Sequence, residues 1–172
     1  MNLVLIGYRG TGKSTIGKVL AKRLGRQLVS TDKEIVKRAG QTIPQIVESQ
    51  GWEHFRDLES EVCRDLAERD NLVIDTGGGA ILRQQNVDVL KGNGTLFWLT
   101  ASVRTIASRI GGDTQRPSLT GHKSFVEEIE EVLRERTPKY RAAADHELST
   151  DGRTIQTLAD TIIGLFNHSP CR

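Results

Sequence analysis

The stretch Leu3-Val4-Leu5-Ile6-Gly7-Tyr8-Arg9-Gly10-Thr11-Gly12-Lys13-Ser14 decides the fold. Its apolar run is short, unbroken by polar residues and closed by a glycine, which describes a strand buried on both faces, as in a parallel sheet. The segment behind it fits the pattern Gly, four residues, then Gly-Lys-Ser. Gly7 and Gly12 let the backbone bend until its N–H groups converge on phosphate oxygens. Lys13 supplies a point charge for β- and γ-phosphates, and Ser14 offers a hydroxyl to Mg²⁺. Beyond the loop, Ile16, Val19, Leu20 and Leu24 recur at helical spacing up to Gly25. The loop therefore opens a helix whose positive dipole end faces the same anion. Strand, loop and helix in this order predict a site for the phosphates of ATP, with Gly10, Thr11, Gly12, Lys13, Ser14 and Thr15 around them.

Outward from this motif, short apolar runs alternate with amphipathic stretches. Leu28-Val29 begins a second strand leading to Thr31 and Asp32, and Asp32 to Gly40 reads as a short helix with an acid at its N-cap. Thr42 and Gln45 form a capping box with Pro44 in the first turn, and Gly51 ends that helix. Trp52, Phe55, Leu58, Val62 and Leu66 mark a longer amphipathic helix. Leu72-Val73-Ile74-Asp75 is a third strand running into Thr76-Gly77-Gly78-Gly79, and Thr95 to Leu99 is a fourth, with Ser102 capping the helix after it. Ser124 and Glu127 form another capping box ahead of Phe125, Ile129, Val132 and Leu133. Glu147 to Thr150 gives a fifth strand, and Ile155, Leu158, Ile162 and Phe166 fit a last helix. The alternation predicts a single α/β domain over residues 1–172, with helices on both faces of a five-stranded parallel sheet. Residues 111–123 are rich in Gly, Thr and Ser without an apolar period, and they are expected to form a mobile lid.

The chain of 172 residues is long enough to bury a core without metal or disulfide staples. Aromatic residues are only 5%, so that core must be mostly aliphatic. A net charge of +2 is too mild to imply nucleic acid, yet it suits small anionic ligands if arginines converge on one site. No apolar run approaches the roughly 18 residues of a membrane span. The chain enters its first strand without a basic leader or cleavage pattern, so a cytoplasmic location is expected. Cys63 and Cys171 form no CxxC pair and are expected to be reduced thiols. His54, His122, His146 and His168 show no metal-like spacing.

Nearly the whole chain resembles the shikimate kinases. Gly51-Trp52-Glu53-His54-Phe55-Arg56 resembles the family's Gly-x-x-x-Phe-Arg segment, and Gly77-Gly78-Gly79 its triple-glycine loop. Asp32 matches the second acid of its Asp-x-Asp motif, Arg116-Pro117 its lid arginine, and Tyr140-Arg141 after Pro138 its Pro-x-Tyr-Arg segment. The resemblance implies a three-layer α/β/α P-loop kinase fold, acting as a monomer. Its reaction would carry the γ-phosphate of ATP, with Mg²⁺, to the 3-hydroxyl of shikimate on the way to chorismate and aromatic amino acids. It implies that Arg56 and Arg141 hold the substrate carboxylate, with Glu59 steadying Arg56 on the same helix face. By the same resemblance Asp32 orients the acceptor hydroxyl, and Gly77, Gly78 and Gly79 approach the acceptor closely. Lys13 and Arg116 would take up phosphate charge, Arg109 and Arg153 would flank adenine, and residues 33–62 would form the acceptor-binding segment. One departure is Ser30, where the family carries its first acid, which positions Mg²⁺ through water. Asp75, at a strand end facing the phosphate loop, resembles a Walker B acid and is expected to join Ser14 in the magnesium shell. Rival readings are a kinase for another small acceptor, such as gluconate or a nucleoside monophosphate, a nucleotide-dependent switch, or a weakened homologue. An uncharged polyol would need no arginine pair, and a nucleotide would need a base-binding surface.

Overall fold

The computed structural model describes residues 1–111 and 124–169. Of the expected lid over 111–123, residues 112–123, with Arg116 and His122, lie outside the described residues, as does Cys171. Five parallel strands form one sheet: β1 (Asn2–Ile6), β2 (Gln27–Ser30), β3 (Leu72–Asp75), β4 (Gly94–Thr100) and β5 (His146–Ser149). Their spatial order is β2-β3-β1-β4-β5, so the chain leaves β1 first for one side of the sheet and later for the other. Ligands bind at the carboxyl edge of such a switch.

The unbroken apolar character of β1 is explained by helices on both of its faces. Leu3 and Leu5 pack with α1 (Lys13–Leu24) and α7 (Ile155–Asn167), while Val4 and Ile6 join the other cluster. That second cluster takes Ile35 from α2 (Thr31–Ala39) and Ile46, Phe55 and Val62 from α3 (Ile43–Ala67). It also takes Val87 and Leu90 from α4 (Gln84–Gly92) and Tyr140 from α6 (Phe125–Ala143). A third cluster joins Ile106 and Ile110 of α5 (Val103–Ile110) to Ile129 and Val132 of α6. Each buried Val, Leu or Ile contributes about 1.5–3 kcal/mol relative to exposure, so the two faces carry most of the fold's apolar stabilisation. Cys63 is buried in this core, where desolvation pushes its thiol pKa up and keeps it a poor nucleophile.

Both capping boxes form, Thr42 with Gln45 and Ser124 with Glu127. The break expected at Gly51 is present as a kink inside α3, at φ 83°. Two expectations change. The cap of α2 is Ser30, whose Oγ accepts from the Lys33 N–H at 3.5 Å, whereas Asp32 stands inside the first turn. A serine is as good a cap as an aspartate, and this placement turns Asp32 toward the sheet's carboxyl edge. Helix α4 and the short 3₁₀ turn at Ala80–Leu82 were not anticipated. Their anchor is Asn86, whose side-chain amide donates to the Ala80 carbonyl at 3.0 Å.

Candidate active site

Gly12 caps α1 with φ 95° and Gly7 sits at φ 142°, both in the region that favours glycine. A side chain at Gly7 would also meet the Leu99 carbonyl at 2.5 Å. These two positions let the loop fold back over the end of β1. Lys13 is buried, and its Nζ donates to the Gly7 and Tyr8 carbonyls at 2.7 and 3.0 Å. A cavity of about 400 Å³ opens over the loop, lined by Gly10, Gly12, Lys13, Ser14, Thr15, Asp75 and Arg109 among others. Arg109 is tethered to the Gly10 carbonyl at 3.0 Å. Thr11 instead points into the loop, its hydroxyl donating to the Tyr8 carbonyl at 2.8 Å. Arg153 is exposed in the turn after β5 and is not part of this lining.

The Ser14 hydroxyl donates to Oδ2 of Asp75 at 2.5 Å. Asp75 is buried at the end of β3, beside Ser30 in the parallel register of β2 and β3. A hydroxyl and a carboxylate at the phosphate loop are hard oxygen donors that fit Mg²⁺, which keeps most of its shell for water and substrate phosphates. Among the described residues there is no group of three or more His, Cys, Asp or Glu that would cage a metal.

A second cavity lies on the other side of Asp32, lined by Tyr8, Arg9, Ile43, Trp52, Phe55, Arg56, Glu59, the three glycines 77–79 and Arg136. Residues 33–62 thus supply one wall of it. Arg56 forms a 2.6 Å ion pair with Glu59, which is fully buried. Burial pushes the Glu59 carboxyl above the usual carboxylate range, with Arg56 pulling against it. The Arg56 guanidinium also lies 5.1 Å from the Phe55 ring and 5.4 Å from that of Trp52. A side chain on Gly79 would fall on that guanidinium, and one on Gly77 would come 2.7 Å from Asp32 Oδ1 and 2.8 Å from Glu59 Oε1. The glycine loop is pinned from both sides. Thr31 Oγ1 accepts from the Gly77 N–H at 2.8 Å, and Gly78's carbonyl accepts from the Tyr140 hydroxyl and, at 3.1 Å, from Arg136. Burial pushes the Tyr140 phenol up to about 12, so it remains a donor.

The second arginine of this cavity is Arg136; Arg141, expected to reach the acceptor, is not part of its lining. On α6 the buried stripe runs Ile129, Val132, Arg136, Tyr140, Ala143, at spacings of three and four. Arg141, one residue past Tyr140, is turned about 100° away. It is largely exposed, 3.5 Å from Glu147 and 5.5 Å from the Trp98 ring. The amphipathic stripe was the available signal, since an arginine four residues before a buried tyrosine shares its face. Tyr8 and Arg9 were also missed.

A phosphate cradle and an arginine-lined hollow that meet at one carboxylate make this a P-loop kinase for a small anionic acceptor. The shikimate kinase family pattern matches residues 9–166. A shikimate kinase of Nitratidesulfovibrio vulgaris is 43% identical over 150 residues, covering 86% of this chain and 85% of that one. Shikimate kinase 2 of Photorhabdus laumondii subsp. laumondii is 45% identical over 147 residues, covering 84% and 83%. The solved structure of the Acinetobacter baumannii shikimate kinase, in complex with shikimate, matches with a TM-score of 0.90 at 36% identity, over 95% of this chain and 91% of that one. The chain belongs to the shikimate kinase family and is an ATP-dependent kinase.

Proposed function

We propose that this chain transfers the γ-phosphoryl group of ATP to the 3-hydroxyl of shikimate. The observation that carries the reading is the convergence of Arg56 and Arg136 on the glycine loop, with Asp32 between them and the phosphate loop. Two planar guanidinium groups suit a carboxylate, and they leave the ring hydroxyls facing Asp32. Asp32 orients the 3-hydroxyl and receives its proton as oxygen attacks phosphorus in line. The bond from phosphorus to the β,γ-bridging oxygen breaks, and ADP leaves. Lys13 and the N–H groups of residues 10–15 hold the phosphates, so positioning and charge neutralisation supply most of the catalysis. Ser14 and Asp75 are the residues that would hold Mg²⁺, which would supply neutralisation of phosphate charge. Arg109 flanks the nucleotide. A monomer in the cytoplasm completes the proposal. No described helix is long and apolar enough to cross a membrane.

The test is ADP release from ATP and Mg²⁺ with and without shikimate, with gluconate and AMP as other acceptors. Strong stimulation by shikimate alone is expected; equal rates with every acceptor would overturn the reading. Gly79→Ala carries a sharper expectation. Its new methyl group would fall on the Arg56 guanidinium and displace it, so the KM for shikimate should rise roughly 10–100-fold, as for loss of a charged hydrogen bond. The KM for ATP should hold. A parallel loss of ATP affinity would show instead that the glycine loop had shifted as a whole.

A further inference from the structure

Among the described residues, Arg9 and Asp32 are the two common to the linings of the nucleotide and acceptor cavities. A phosphoryl group passing from one cavity to the other must cross the boundary they share. The phosphate-loop pattern fixes glycines, a lysine and a hydroxyl, and it leaves the residue at Arg9 open. The cradle therefore does not need a cation there. The side chain is nevertheless turned inward, with 14% of its surface exposed.

Its restraints are weak for an arginine so placed. Among the described residues, Nε donates to the Tyr8 hydroxyl at 3.4 Å, the guanidinium lies 5.8 Å from the Tyr8 ring, and Nη2 lies 3.7 Å from Oε1 of buried Glu128. All three distances are near the outer limit of their interactions. Arg56 is held by Glu59 at 2.6 Å, and Arg136 by the Gly78 carbonyl at 3.1 Å. A guanidinium carries five N–H donors, so Arg9 keeps donors to spare and can shift without breaking a short contact. Glu128 balances its charge when no phosphate is near.

We infer that Arg9 is a third functional arginine, which takes up charge on the phosphoryl group during its transfer. This rests on the shikimate kinase reading of the site. In-line transfer spreads charge over three equatorial oxygens, and a donor aimed at that charge acts on the transition state more than on either bound substrate. The acceptor carboxylate is already served by Arg56 and Arg136.

Arg9→Met, which keeps length and loses charge, tests this beside Arg9→Lys. Binding of shikimate, followed by Trp52 fluorescence, and of a non-hydrolysable ATP analogue should stay within about threefold of the wild type. The kcat should fall on the order of 100-fold in Arg9→Met, as for removal of one transition-state donor, and recover in part in Arg9→Lys. Formation of the ADP–aluminium fluoride–shikimate complex should weaken in step with kcat. Three results would overturn the inference: an unchanged kcat, a shikimate Kd that rises with kcat held, which would move Arg9 to the acceptor carboxylate, or lost affinity for the ATP analogue, which would mean a damaged cradle. If the wild type itself shows no shikimate-dependent turnover, the underlying reading has failed rather than this inference.

Discussion

Arg136→Ala is expected to raise the KM for shikimate roughly 100-fold, while Arg141→Ala leaves it within about twofold. The two arginines lie five residues apart on α6 and face different surroundings. Arg136 is buried among Arg56, Tyr140 and the glycine loop, whereas Arg141 pairs with Glu147 in solvent. A charged hydrogen bond in a desolvated cavity contributes about 1.5–3 kcal/mol, and an exposed ion pair about 0–1 kcal/mol. Removing Arg136 also takes one donor from the Gly78 carbonyl, but the Tyr140 hydroxyl continues to hold that oxygen. The loop should therefore stay in place and the loss should fall on the acceptor. Steady-state kinetics with shikimate varied at saturating ATP, joined to direct binding by fluorescence, separate the two variants. If Arg141→Ala proved the damaging one, the acceptor carboxylate would lie toward Trp98 and the assignment of the cavity would be wrong.

Periodicity gave the parallel sheet because β1 is apolar on both faces, and the caps at Thr42, Ser102 and Ser124 gave helix starts because their chemistry is local. The phosphate loop was legible because its function is a backbone shape written in glycines. Arg56 and Glu59 were legible because three residues of helix set them side by side. The second arginine of the acceptor cavity depended on which face of α6 meets the sheet, a tertiary fact, and proximity to a motif pointed one residue past the buried tyrosine. Asp32 as a cap failed for a related reason, since Ser30 could serve equally and only packing decides between them. Arg9 was passed over because the motif assigns its position no role, and its place between two cavities exists only once both are folded.

Asp75→Ala is expected to raise the Mg²⁺ concentration needed for half-maximal rate about 10–100-fold, with shikimate affinity nearly unchanged. The residue is buried at the end of β3, and one oxygen accepts from Ser14, the hydroxyl that a phosphate loop turns to its metal. Ser30, where the family's first acid would stand, is the register partner of Asp75 across the β2–β3 ladder. Neighbouring strands lie about 4.8 Å apart and partnered side chains share a face, so a carboxylate on either strand can serve the same region. Ser30→Asp in the Asp75→Ala background should then lower the magnesium requirement again. The change keeps the α2 cap, because aspartate caps as well as serine. Manganese binding in the presence of ADP, read by electron paramagnetic resonance, follows the site without turnover and should weaken in the single variant and recover in the double. An unchanged magnesium titration for Asp75→Ala would remove this residue from the metal's surroundings. Weakened binding that Ser30→Asp fails to restore would confine Asp75 to orienting Ser14, a contact that a carboxylate on β2 need not reproduce.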